Sequence, residues 1–199
     1  MKRLIAILLL FATLGAFAGT SLMMKHKSGG CHGTQGLRGT PTNSTSVGNG
    51  EMLCYPITTS CTGTPSEFIA QVGYTNSTNQ IQFALYSDSA GAPNSLLCTG
   101  AATSGSNIFT GQTELTSAVS GCGSLVVGTY WMCEIPQSSA DANCPSAPCA
   151  KLGDDGHGTG VPPFPNIRRQ TGLTFGSFPA TASTSVYLTD RHLYFALWY

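Results

Sequence analysis

Ile81-Gln-Phe-Ala-Leu-Tyr-Ser-Asp88 is the stretch that decides the fold. It sets Ile81, Phe83 and Leu85 on one side and Gln80, Gln82 and Ala84 on the other, a segregation that follows from the two-residue side-chain period of an extended chain. The same alternation recurs at Val127, Thr129, Trp131, Cys133 and Ile135, and at the chain end, where Leu193, Phe195 and Leu197 oppose Tyr194, Ala196 and Trp198. Turn-forming clusters separate these runs: Asp88-Ser-Ala-Gly-Ala-Pro93, Ser104-Gly-Ser-Asn107 and Ser120-Gly-Cys-Gly123. Beyond the first residues no window carries a helical period. Short strands with Gly/Pro punctuation predict an all-β protein, an antiparallel sandwich or barrel over residues 51–199.

Outward from that stretch, an ordered pattern emerges: Leu85-Tyr-Ser-Asp88, then Gly91, Pro93 and Leu96-Leu97, then Gly128-Thr-Tyr-Trp131, with an aromatic-rich close over Leu193 to Tyr199. This pattern resembles jelly-roll β-sandwich modules of secreted and surface proteins of bacteria, over about Ser66 to Tyr199. The resemblance implies a jelly-roll-like sandwich. The cysteines and the Ala140 to Pro165 segment depart from the pattern. The physics of the residues points the same way: Asp88 can accept hydrogen bonds from a turn, Gly91 tolerates positive φ and Pro93 presets a bend. Trp131 on a strand is expected in the core.

Lys2 and Arg3 precede an apolar run that ends in Ala16-Phe-Ala18, the form of a secretory leader cleaved after Ala18. Low polarity continues to Met24, and left uncleaved the segment from Leu4 is long enough to be an anchor helix. Residues 19–50 lack hydrophobic periodicity and read as a flexible Gly/Ser/Thr-rich arm or linker. The chain thus divides into a leader over 1–18, an arm over 19–50 and a β-sandwich domain over 51–199.

Eight cysteines follow the leader: Cys31, Cys54, Cys61, Cys98, Cys122, Cys133, Cys144 and Cys149. None forms the close C-x₂-C pairs of zinc, redox or haem motifs, so disulfides formed in an oxidising compartment are the expected use of all eight. Their connectivity is open at this level. Cys31, in the arm, either pairs with Cys31 of a second subunit or pins the arm down.

Charged residues make up 9% of the chain, against about 25% in an average protein. No basic stripe exists, and the sole adjacent basic pair after the leader is Arg168-Arg169. Nucleic-acid binding, which depends on phosphate neutralisation, is therefore excluded as a partner class. Gly156-His-Gly-Thr159 resembles the segment around the catalytic histidine of subtilisin-like proteases, but Gly160 stands where that family has a second histidine. Pro162-Pro163 also bars the helix that the histidine should open. Asp154, Asp155 and His157 lack the repeated acidic spacing of a calcium loop. The acidic residues Glu51, Glu67, Asp88, Glu114, Glu134, Asp141, Asp154, Asp155 and Asp190 are scattered and single out no catalytic pair. Asn43-Ser-Thr45 and Asn76-Ser-Thr78 match glycosylation sequons.

No catalytic, metal or cofactor-binding residue is therefore assigned. The expectation is a secreted or surface-exposed, non-enzymatic structural or adhesive protein, extracellular, at the cell surface or in the periplasm, and a subunit of an extracellular assembly. Its partners would be further copies of itself or cell-surface and matrix components. The alternative is a carbohydrate-binding module that uses Tyr55, Tyr74, Tyr130, Tyr187, Tyr194 and Trp198. A secreted hydrolase is the third class. Three or more exposed coplanar aromatics would favour glycan binding; their burial would favour a structural role.

Overall fold

The computed structural model describes residues 31–36, 43–48, 50–74, 80–104, 113–137, 150–154, 166–188 and 195–199. The leader over 1–18, its continuation to Met24, and Cys144 and Cys149 lie outside the described residues. Those described form strands and connections, with no helix among them.

Thirteen strands are present among the described residues: β1 Thr34–Gly36, β2 Asn43–Val47, β3 Met52–Thr59, β4 Glu67–Tyr74, β5 Gln80–Ser89, β6 Ala92–Gly100, β7 Thr103–Ser104, β8 Thr113–Ser120, β9 Gly128–Pro136, β10 Ala150–Asp154, β11 Ile167–Gln170, β12 Ser185–Leu188 and β13 Phe195–Trp198. Ten follow one hydrogen-bonded path, β1-β13-β4-β8-β6-β5-β9-β3-β11-β12, while β10 pairs with β4 and β2, and β7 with β5. Every pairing is antiparallel.

The path cannot lie flat. Phe83 on β5 and Phe195 on β13 are four strands apart, which a flat sheet would spread over about 19 Å. Their ring centroids are 6.2 Å apart, and Phe68 on β4 lies 6.1 Å from Phe83. The sheet therefore turns over on itself and brings the inner faces of β4 and β13 against those of β3, β5 and β9. Leu53, Ile57, Phe68, Val72, Ile81, Phe83, Leu85, Met132, Ile167, Phe195 and Leu197 fill that space. The three residues of the opening alternation, Ile81, Phe83 and Leu85, all point into it.

The turnover rests on a narrow seam. β6 and β8 share two register pairs, Thr99 with Ser120 and Gly100 with Val119. The Cys98–Cys122 disulfide lies at the end of that seam. A covalent tie there holds the two halves of the path together where hydrogen bonding is sparse.

A one-faced sheet would alternate buried and exposed along β9, yet Trp131 to Pro136 are all buried. Met132 joins the inner core, and Trp131, Cys133 and Ile135 join a second cluster with Met52, Cys54, Ala84 and Tyr86 on the opposite face. Residues 171–184, outside any strand, cross that second face and cover it with Leu173, Phe175, Phe178 and Ala182. Backbone bonds hold this strap down: Leu173 N donates to Gly50 O, Leu96 N to Ala180 O, and Ala182 N to Asn94 O.

The stretch 19–50, expected as an arm, carries β1 and β2 among its described residues. β1 pairs with β13 and β2 with β10, and both of those partners lie along the same side of β4. The register sets Gly36 level with Ile69 and Thr45 level with Val72, so the two short strands are successive pieces of one sheet edge. Cys31 is bonded to Cys61 within the chain, which fastens the start of that edge. Of the two fates expected for Cys31, the described geometry is the intramolecular one. Edge strands bury little and hydrogen-bond mainly through backbone, so a polar sequence such as Asn43-Ser-Thr-Ser46 forms one with no apolar period to announce it.

Candidate functional site

Of the Leu85-Tyr-Ser-Asp88 and Gly128-Thr-Tyr-Trp131 motifs, Tyr86 and Asp88 of the first and Trp131 of the second meet on the strap-covered face, while Leu85 points into the inner core. Tyr86 and Trp131 are directly opposed in register between β5 and β9. The Trp131 indole Nε1 donates to Asp88 Oδ1 at 2.7 Å, and Gly91 N donates to Asp88 Oδ2 at 3.4 Å. Gly91, at φ 74°, makes the turn that this geometry needs. Arg168 Nη2 donates to Gly91 O at 3.0 Å from β11. Tyr86, fully buried, donates its hydroxyl to Pro179 O of the strap at 2.8 Å, and its burial pushes the phenol well above the usual tyrosine range. Each of these polar groups fastens a turn or the strap. The Cys54–Cys133 disulfide lies on this same face, between directly opposed residues of β3 and β9.

The inner face holds the chemically unusual group. Register places Phe83, Glu134, Leu53 and Arg169 in one row across β5, β9, β3 and β11. Residues opposed in register share a face, so Glu134 points into the inner core beside Phe83 and Leu53. Its side chain is fully buried, and neither carboxyl oxygen has a hydrogen-bond partner. Desolvation, with the nearby Glu51 charge adding to it, holds the Glu134 carboxyl well above the usual carboxylate range. Glu51 borders the row: its Oε2 accepts from Gly48 N at 3.0 Å and its Oε1 faces Arg169 Nη1 at 3.5 Å. The Arg169 guanidinium also lies 4.2 Å from the centre of the Tyr187 ring, a cation–π contact. The site is thus a buried, unpartnered acid beside a partly exposed ion pair.

The structure joins three of the cysteine pairs that the sequence left open: Cys31–Cys61, Cys54–Cys133 and Cys98–Cys122. Such bonds are compatible with an extracellular or otherwise oxidising compartment. Of the aromatics considered for glycan stacking, Tyr55 is buried, Tyr130 and Tyr187 are half-buried, and Trp198 is 40% exposed. Tyr130 is turned to local structure, its hydroxyl bonding Val126 N and O. The ring of Tyr74 and all of Tyr194 lie outside the described residues, as do Asp155 to Gly160, Asp141, Asp190 and the second sequon.

Among the nine acidic residues, the fold couples Glu51 with Glu134 and leaves Asp88 on the opposite face of the sheet. Sequence reasoning did not single out Glu134. The available signal was its position, a lone carboxylate inside the apolar run Tyr130-Trp-Met-Cys-Glu-Ile135. Among the described residues no group of three or more His, Cys, Asp or Glu side chains gathers to hold a metal ion.

No protein-family model matches this chain, and no curated protein matches it either.

Proposed function

We propose that this chain is a secreted or surface-exposed structural or adhesive protein, a jelly-roll-like β-sandwich that serves as a subunit of an extracellular assembly. One observation carries the reading: both faces of the central strands β3, β5 and β9 are buried, and a disulfide fixes the sheet at its edge, its centre and its seam. Such construction suits a protein that must persist outside the cell. Removing a native disulfide typically costs about 2–5 kcal/mol, and a low-charge surface offers little electrostatic steering toward charged ligands. Export through a leader cleaved after Ala18 belongs to the same proposal.

Expression of the full chain in an exporting host, with N-terminal mapping and native mass measured with and without reductant, tests it. The expected product is extracellular, starts after Ala18, contains oxidised cysteines and self-associates. A thiol-bearing monomer retained inside the cell would sink the proposal. A secreted monomer that binds a glycan array would transfer it to the carbohydrate-binding reading.

A further inference from the structure

We propose that Glu134 is a proton-operated lock on the corner where β9, β3 and β11 meet: protonated, it packs as core; ionised, it draws Arg169 from Glu51 and loosens that corner. The geometry requires some such response. A carboxylate whose two oxygens lack partners cannot remain charged in an apolar core without a large desolvation penalty, so it stays protonated or the structure moves to meet it. A cation able to move lies in its own row. Arg169 is two strands away, about 10 Å between backbones, with the apolar Leu53 between them.

The groups facing Glu134 decide the direction. Among the described residues, Glu51 leads into β3, Arg169 comes from β11, Tyr187 from β12 and Tyr55 from β3. Glu51 disfavours a second negative charge, and of these groups Arg169 is the cation able to compensate it. Its present hold is weak: the contact with Glu51 is 3.5 Å, with the two side chains 35% and 21% exposed. Moving Arg169 would release Glu51, whose other oxygen closes the turn at Gly48. That turn joins the β1–β2 edge to β3. The lock therefore couples proton uptake at the core to the attachment of the sheet edge.

The sign follows from linkage. Glu134 binds its proton more tightly in the folded chain than in the unfolded one, so its contribution is complete below the ordinary glutamate range and is lost as pH rises through the folded value.

The test compares the full oxidised chain with Glu134→Gln by urea unfolding from pH 5 to pH 9. In the unmodified chain the unfolding constant should rise by up to about tenfold per pH unit across the window where Glu134 is protonated only when folded. In Glu134→Gln that rise should vanish, and the Gly48 amide should exchange more slowly than in the unmodified chain at the same alkaline pH. An unchanged pH slope in the variant would overturn the lock. Infrared titration of the unmodified chain is the second measurement and stands even where the variant does not fold. A protonated-carboxyl band persisting above pH 6 supports the proposal, and its loss along with the ordinary carboxyls refutes it.

Discussion

The Trp131 indole and the Asp88 carboxylate, 43 residues apart in sequence, meet at 2.7 Å across β9 and β5. The contact ties a strand in the middle of the sheet to the turn that begins its neighbouring hairpin. Gly91 completes the arrangement by donating to the same carboxylate while its carbonyl accepts from Arg168. One acidic residue thereby sets the position of a turn, a core aromatic and, through the turn, β11.

Asp88→Ala should lower stability by about 1–2 kcal/mol, because the indole N–H loses a charged acceptor while Asp88 itself is solvent-accessible. Trp131→Phe should cost more, since it also leaves a cavity in the second cluster. The double variant should fall short of the summed losses, as measured by urea unfolding of all four chains.

The disulfides should differ in what they protect. Cys54–Cys133 closes 79 residues and Cys31–Cys61 closes 30; chain entropy then gives about 4.5 and 3.6 kcal/mol as upper figures. Replacing both cysteines of the central pair by alanine should lower the global melting temperature. Replacing Cys31 and Cys61 should in addition expose the chain near β1 to protease before global unfolding. Mass mapping of early cuts distinguishes the two.

Tyr86→Phe removes the hydroxyl that holds Pro179 O and leaves the ring in place. The expected loss is about 1 kcal/mol. It should be accompanied by faster proteolysis within residues 171–184 than elsewhere, because the strap has few backbone bonds to the sheet. Equal protection of the strap in both proteins would show that packing of Phe175 and Phe178 suffices.

Tyr199 has a buried hydroxyl without a partner, and burial, with a smaller contribution from Tyr130, pushes its phenol up to about 12. A folded value above the ordinary one means that stability is complete below about pH 10 and declines as pH rises toward 12. Tyr199→Phe should be neutral or slightly stabilising at pH 7 and should reduce the alkaline loss. Melting temperatures from pH 8 to pH 11 measure both effects.

The parts legible in the sequence were those in which burial imposes a period. Ile81, Phe83 and Leu85 alternate because one face of β5 meets the inner core. Of the expected run Val127, Thr129, Trp131, Cys133 and Ile135, the last three join the second cluster, whereas Val127 precedes β9 and, like Thr129, is exposed. The turn at Asp88 to Pro93 was legible for the same reason, since its backbone needs particular residue types. β1 and β2 were not legible. Their pairing is carried by backbone groups that every residue has, and their partners β13 and β10 lie more than a hundred residues away.

The chain by itself determined an all-β protein with cysteines fit for disulfides, because strand period, turn chemistry and thiol spacing are local properties. Tertiary structure alone decided that the sheet turns over through a two-pair seam, that the strap over 171–184 buries its second face, and that Cys31 finds Cys61. It also decided the character of Glu134. An acidic side chain in a strand is ordinary until the fold surrounds it with Phe83, Leu53 and Met132 and supplies no partner. Desolvation depends on everything packed around a group, and that is not written at its own position.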